Sequence, residues 1–247
     1  MFYYGYLNYL IWMLPAIVLS AIAQFMVKSA YSKNSKIRNS RNLTGAEAAR
    51  KVLLSHNITN VAIVPVAGKM TDHFDPRTNT IRLSEGVYNA TTIAAVGIAA
   101  HEAGHAVQHA EGYMPNKIRS FMVPVTNFGS RIGWILIIIG LIMSGYYSYS
   151  ESPSASAASY DTAGVLMLLG VILYSTSLIF TLVTLPVEFN ASRRALNTIK
   201  DGNMLVGEEY KGAKQTLTAA ALTYVAAAIT ALLQLLRVIA MINRRRD

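Results

Sequence analysis

No Asp, Glu, Lys or Arg interrupts the chain over residues 1–27, 132–150, 162–187 or 215–236. Each window is close to the roughly 20 residues that cross a bilayer core. The first runs LNYLIWMLPAIVLSAIAQFMV, with Tyr3, Tyr4, Tyr6, Tyr9 and Trp12 placed as an interfacial aromatic belt. The second contains WILIIIGLIMSGYYSY and the third AGVLMLLGVILYSTSLIFTLVTL. Both are apolar all round, as lipid-facing helices require. The fourth, TLTAAALTYVAAAITALLQLL, is richer in Ala and carries Gln234 with Arg237 just beyond. Residues 215–241 therefore read as a fourth span or as a helix buried against protein. The first window lacks a basic n-region and exceeds the roughly 7–15 apolar residues of a secretory signal, so it is expected to stay as an anchor.

Two polar blocks separate these windows, 28–131 and 188–214. In the longer block, Thr44-Gly45-Ala46-Glu47 is a capping-box pattern, with Ala46, Ala49, Val52 and Leu53 on one face of the helix it opens. That helix is expected to end near Ser55-His56-Asn57. VAIVPV (61–66) is a short β-rich run, broken by Gly68, and DHFDPRTN (72–79) carries turn chemistry. TIRLS (80–84) predicts a second strand. Ala90 to Glu111 has no Pro and reads as a helix capped by Asn89.

Composition changes the picture by exclusion. Apolar residues make up 53% and charged residues 14%, about half the charge of an ordinary soluble domain. With no Cys, a disulfide scaffold, a thiolate metal site and a cysteine nucleophile are all ruled out. The net charge of +9 would suggest nucleic acid, but the basic residues are scattered along membrane flanks without a patch of stacking aromatics. No nucleic-acid partner is expected. The charge instead orients the chain: 28–131 carries 13 Lys or Arg, whereas the Ser/Ala-rich connection at 147–161 carries none. The positive-inside rule places 28–131 and the basic 188–214 segment in the cytoplasm and the Ser/Ala-rich connection outside. The terminal Asn-Arg-Arg-Arg-Asp of 243–247 disagrees, because four spans would put it outside.

Chemistry concentrates in His101-Glu102-Ala103-Gly104-His105. His at i and i+4 share one helical face, so the two imidazoles can converge on a single Zn²⁺, with Glu102 near enough to act as a base toward water. Chance would produce HExxH in only about 0.3% of shuffled sequences of this composition. The plainer alternative is a pair of hydrogen-bonded core histidines. Gly97 and Gly104 would let another backbone approach this helix, and TIRLS is placed where an edge strand could pair with an extended peptide.

A catalytic zinc usually takes three protein ligands and leaves one position open. His109 lies roughly 12 Å along the axis from His101, too far to share its ion. Glu188, in Leu185-Pro-Val-Glu-Phe-Asn-Ala-Ser-Arg-Arg-Ala195, is the first charge after the third window, and a carboxylate at that boundary needs a partner. Arg193, Arg194 or water would serve; the sharper reading is a ligand completing a His, His, Glu site. His73 is a further candidate for metal ligation or for donation to a developing oxyanion, against the plainer reading of a turn histidine. His56 reads as a helix-terminal residue without a catalytic role.

The stretches Leu43-Thr-Gly-Ala-Glu47, Asp72-His-Phe-Asp-Pro-Arg77, Ile81-Arg-Leu-Ser-Glu85, Ala100-His-Glu-Ala-Gly-His105, Glu111-Gly-Tyr113, Pro186-Val-Glu-Phe-Asn-Ala-Ser-Arg-Arg-Ala195 and Ala220-Ala-Leu-Thr-Tyr-Val-Ala226 together resemble the YugP-type membrane zinc metallopeptidases of bacteria. The resemblance implies an integral membrane peptidase with His101 and His105 as ligands and Glu102 as base. A fainter similarity to HtpX-like peptidases implies a Glu ligand in a Glu-aromatic-x-Ala-Asp context, matched by Glu188-Phe-Asn-Ala-Ser192 except that Ser192 replaces the Asp. Asn190 or Arg193 could then supply the contact that the Asp would make.

The expectation is an α+β membrane protein of about four transmembrane helices, with a small cytoplasmic zincin-like domain built on the HExxH helix. It would be a multi-pass zinc metalloendopeptidase of the cell membrane with one Zn²⁺, hydrolysing peptides or membrane proteins laid along the 80–84 strand. The competing expectation is a non-enzymatic membrane protein whose metal site is structural.

Overall fold

The computed structural model describes residues 2–149 and 156–243. The centre of the Ser/Ala-rich connection and Arg244, Arg245 and Arg246 fall outside the described residues. The elements run α1 (Phe2–Asn34), α2 (Gly45–Ser55), β1 (Ala62–Val66), β2 (His73–Asp75), β3 (Thr80–Ser84), α3 (Glu85–Tyr88), α4 (Ile93–Ala110), α5 (Met114–Tyr149), α6 (Ser156–Asp201) and α7 (Glu208–Asn243). The expected α+β balance is corrected: the strands are 5, 3 and 5 residues long, and the fold is mostly helical. The physical reason is that the long apolar windows and their basic flanks join into helices of 33 to 46 residues. Four helices are long and apolar enough to cross a membrane, over Ile11–Asn34, Met114–Gly145, Thr162–Asp201 and Glu208–Asn243.

The chain divides into two compact units. One comprises residues 1–19, 118–183 and 226–247. Here α5 and α6 approach through glycine: a Cβ on Gly133 would stand 2.7 Å from both the Gly170 carbonyl and the Tyr174 amide, and one on Gly140 2.9 Å from the Ala163 carbonyl. Gly129 and Gly133 form a GxxxG pair, which lets backbones meet where side-chain burial gives no hydrophobic advantage over lipid.

The other unit comprises residues 20–117 and 184–225. Its core joins Val52 and Leu53 of α2, Ile81 and Leu83 of β3, Val96 and Val107 of α4 and Ile199 of α6. The capping box on α2 is formed: Thr44 Oγ1 accepts from the Glu47 amide, and Glu47 Oε2 accepts from the Thr44 amide at 2.8 Å. Helix α4 starts three residues later than its sequence predicts, because Thr92, whose Oγ1 accepts from the Ala95 amide, is its cap; Asn89 instead ends the short α3.

The sheet order is β1-β3-β2, with β1 and β3 parallel and β2 and β3 antiparallel. TIRLS is therefore the central strand, not an edge. Four of its five residues are buried, and His73-Phe74-Asp75, expected to be only turn, folds back to cover its second side. Asp75 closes that hairpin by accepting from the Arg77 amide, Thr78 Oγ1 and Arg82 Nη1. Hydrogen bonding from Arg82 is the largest cause holding its carboxyl well below the usual carboxylate range.

Candidate metal centre

Helix α4 carries His101 and His105 one turn apart, and α6 brings Glu188 to them. The contact is possible because residue 104 is Gly: a Cβ there would stand 2.6 Å from the Ala191 carbonyl, one turn beyond Glu188. Glu188 Oε2 lies 3.3 Å from His101 Nε2 and 3.5 Å from His105 Nε2. The three side chains are 5%, 14% and 13% exposed, and one donor atom from each falls within 4.8 Å of the others. The donor chemistry fits zinc. Tetrahedral arms of about 2.0–2.1 Å put neighbouring donors roughly 3.3–3.4 Å apart, close to the separations found.

The far side of each imidazole is also held. Ser192 Oγ lies 3.0 Å from His101 Nδ1, so the residue that replaces the Asp of the HtpX-like pattern touches the ring itself. His105 Nδ1 lies 3.1 Å from Gln108 Oε1. The polarity of that second contact follows from its neighbours. Gln108 Nε2 donates to the Val187 carbonyl at 2.7 Å and to Asn190 Oδ1 at 3.0 Å, and Asn190 Oδ1 also accepts from Arg194 Nε. A carbonyl can only accept and a guanidinium can only donate, so Gln108 must turn its oxygen toward His105. His105 then carries its proton on Nδ1 and leaves Nε2 as a lone pair facing Glu188.

Arg194 continues the chain to Glu111 at the C-terminal end of α4, whose other oxygen lies 3.1 Å from His56 Nδ1. Burial pushes the Glu111 carboxyl up, but the hydrogen bonds and charge of Arg194 and His56 outweigh it and hold it below its ordinary range. Glu102 Oε2 accepts from the Phe74 amide on β2 at 3.1 Å. Burial is the largest influence on Glu102 and pushes its carboxyl up; the negative charges of Glu188 and Asp72 add to this, against His101 and the Phe74 amide.

A cavity of about 170 Å³ opens on this group. Asp72, His101, Glu102, Glu188 and Ser192 line one side, and Ile98, Leu217, Ala220 and Ala221 give it an apolar wall. Asp72 is fixed by accepting from the amide and hydroxyl of Ser84.

Of the residues singled out by sequence, His101, Glu102, His105 and Glu188 come together, and Asn190 reaches them through Gln108. His73 is exposed on β2 with Nδ1 2.7 Å from the Thr71 carbonyl, Arg193 is exposed on α6, and the His109 ring lies 5.7 Å from Phe74. Sequence reasoning missed Gln108, although it stands three residues after His105 on the same helical face, the spacing at which side chains meet. It also missed Asp72 and the Phe74 amide, which only the folding of β2 beside α4 brings in.

Four apolar helices and a buried His, His, Glu group define a multi-pass membrane protein with a candidate metal centre. The chain belongs to the family described as "Putative neutral zinc metallopeptidase", whose model matches residues 9–243. It is 41% identical over 234 residues, 95% of this chain and 96% of the relative, to "Putative membrane protease YugP" of Bacillus subtilis (strain 168). No solved structure matches the chain.

Proposed function

We propose that this protein is an integral membrane zinc metalloendopeptidase in which His101, His105 and Glu188 hold one Zn²⁺ and Glu102 is the general base. The observation that carries the reading is the closeness of two imidazole nitrogens and one carboxylate oxygen to tetrahedral spacing, beside a second carboxylate in the same cavity. Bound there, zinc supplies Lewis acidity toward an amide carbonyl and makes water nucleophilic near neutral pH. The rest falls to the chain. Glu102, anchored through Oε2 by the Phe74 amide, presents its other oxygen to take a proton from water and return it to the leaving amine. Ser192 and Gln108 keep the two rings aimed at Glu188.

The extended substrate is assigned to β2, the sheet edge beside α4, in place of the 80–84 strand. Because the Phe74 amide points out of the sheet toward Glu102, ladder alternation turns the Phe74 carbonyl outward as well, where a peptide N–H can donate to it. The zincin-like unit faces the cytoplasm, and its substrates are membrane proteins or peptides near the bilayer; the basic flanks and membrane helices support this reading.

The test pairs metal content with hydrolysis of a quenched peptide library by the purified, detergent-solubilised protein. Glu102→Gln is expected to keep about one zinc per chain and lose about 10²- to 10⁴-fold in rate. Glu188→Ala is expected to lose the zinc. Unchanged hydrolysis in Glu102→Gln would leave the metal site structural and the mechanism wrong.

A further inference from the structure

The cavity beside the His, His, Glu group has an apolar side to which hydrolysis assigns no task. It lies wholly within the unit formed by residues 20–117 and 184–225. Leu217, Ala220, Ala221 and Tyr224 reach it from one face of α7, Ile98 from α4 and Val27 from α1. Ile98 stands three and four positions before His101 and Glu102 on the same face of α4, so the apolar wall begins one helical turn from the reacting groups. The wall is held in place. A Cβ on Gly97 would stand 3.4 Å from Ala213 Cβ, so α7 lies against α4 one turn before Leu217. Buried Asn34 ties α1 to the same part of α7 by donating to Thr216 Oγ1 at 3.0 Å.

Size and charge narrow what this wall can receive. The cavity measures about 170 Å³, and an apolar space of about 150 Å³ admits benzene. Because the polar side must also hold the scissile amide, a phenyl ring is the upper limit and an indole is too large. Among the described residues no Lys or Arg lines the cavity, whereas Asp72, Glu102 and Glu188 all do, so an acidic side chain is repelled. A basic side chain would find only Asp72 outside the proposed reaction, and Asp72 already accepts from the amide and hydroxyl of Ser84. Val27 closes the first uncharged window and Leu217 to Tyr224 lie in the fourth, so the wall stands where the hydrocarbon begins. We propose that it is a side-chain subsite selecting substrates with an aliphatic or phenyl-sized residue beside the scissile bond, and that Ala220 and Ile98 set its size. The proposal rests on the peptidase reading only in calling the neighbouring bond scissile.

Binding measured without turnover keeps the two ideas apart. The full-length, detergent-solubilised Glu102→Gln protein is titrated with fluorescent peptides Gly-Gly-X-Gly-Gly, in which X is the one side chain on offer, with empty micelles as the baseline. The Leu and Phe peptides are expected to bind about tenfold or more tighter than the all-Gly peptide, and the Trp and Asp peptides no tighter than it. Ala220→Leu is expected to erase the Phe advantage by filling the wall, and Ile98→Ala to extend the advantage to Trp by opening it. Opposite shifts in size preference are not a consequence of general destabilisation, and the ranking before either substitution stands if one of these variants fails to fold. Equal binding of all the peptides, or a ranking unmoved by both substitutions, overturns the proposal. Tightest binding by a Lys peptide also overturns it, assigning the cavity to a cation held by Asp72. Failure of the peptidase reading would appear elsewhere, as absent hydrolysis by the wild type with the side-chain preference intact.

Discussion

Gln108 is fully buried, and every one of its polar atoms has a directional task. Its carboxamide cannot be flipped without facing two hydrogen donors toward each other at His105 or an oxygen toward the Val187 carbonyl. The side chain therefore reports, and enforces, the tautomer of His105. Gln108→Met preserves volume but removes the acceptor that His105 Nδ1 faces and the donor to the Val187 carbonyl. It is expected to weaken zinc binding about 10- to 100-fold in a chelator competition. Unchanged affinity would make the contact incidental. Ser192 illustrates the same scale differently: it is a departure from the HtpX-like pattern, yet its hydroxyl fills the position next to His101.

Helix α4 meets α6 at the element scale, and Gly104 sets their separation. Gly104→Ala places a methyl 2.6 Å from the Ala191 carbonyl, so α6 must move away and take Glu188 with it. The expected result is about 1–3 kcal/mol of destabilisation from overpacking, read as a lower Tm, together with loss of zinc stoichiometry. A variant that keeps both would mean that α6 does not depend on this close approach. The β2–β3 hairpin has a pH signature. The folded-state pKa of Asp75 is depressed below the unfolded value of about 3.9, so its contribution is present above that value and is lost as pH falls toward the folded pKa. Asp75→Asn is expected to lower Tm at pH 7, with the gap from wild type closing as the pH drops below about 4. A gap independent of pH would assign the effect to turn geometry instead.

Four helices of spanning length make the whole molecule a multi-pass membrane protein, and its orientation is the property with the greatest functional consequence. By the positive-inside rule, the 13 basic residues of 28–131 against none in 147–161 predict that the unit holding the His, His, Glu group faces the cytoplasm. A topology reporter inserted at residue 155 is expected to be active on the external side and silent in the cytoplasm. The reverse result would invert the molecule and expose the His, His, Glu group to the exterior.

The sequence by itself determined the apolar windows, the HExxH helix and the isolation of Glu188, because each is written in local periodicity or in a run of missing charges. It also marked the capping box at Thr44 and the Asp75 turn, which are interactions over three or four positions. What only the tertiary structure decided depends on contacts between distant segments. Pairing on both sides makes TIRLS central and leaves β1 and β2 as the edges. Thr92 wins the helix start over Asn89 because Asn89 is already used to end α3. Gln108 acquires its role from Val187 and Asn190 some 80 positions away. Gly129 and Gly133 acquire their role from Leu173, Gly170 and Tyr174 of α6, against which their missing side chains let α5 close. Local pattern specifies which elements form; their register against one another, set by close packing, specifies which side chains share a site.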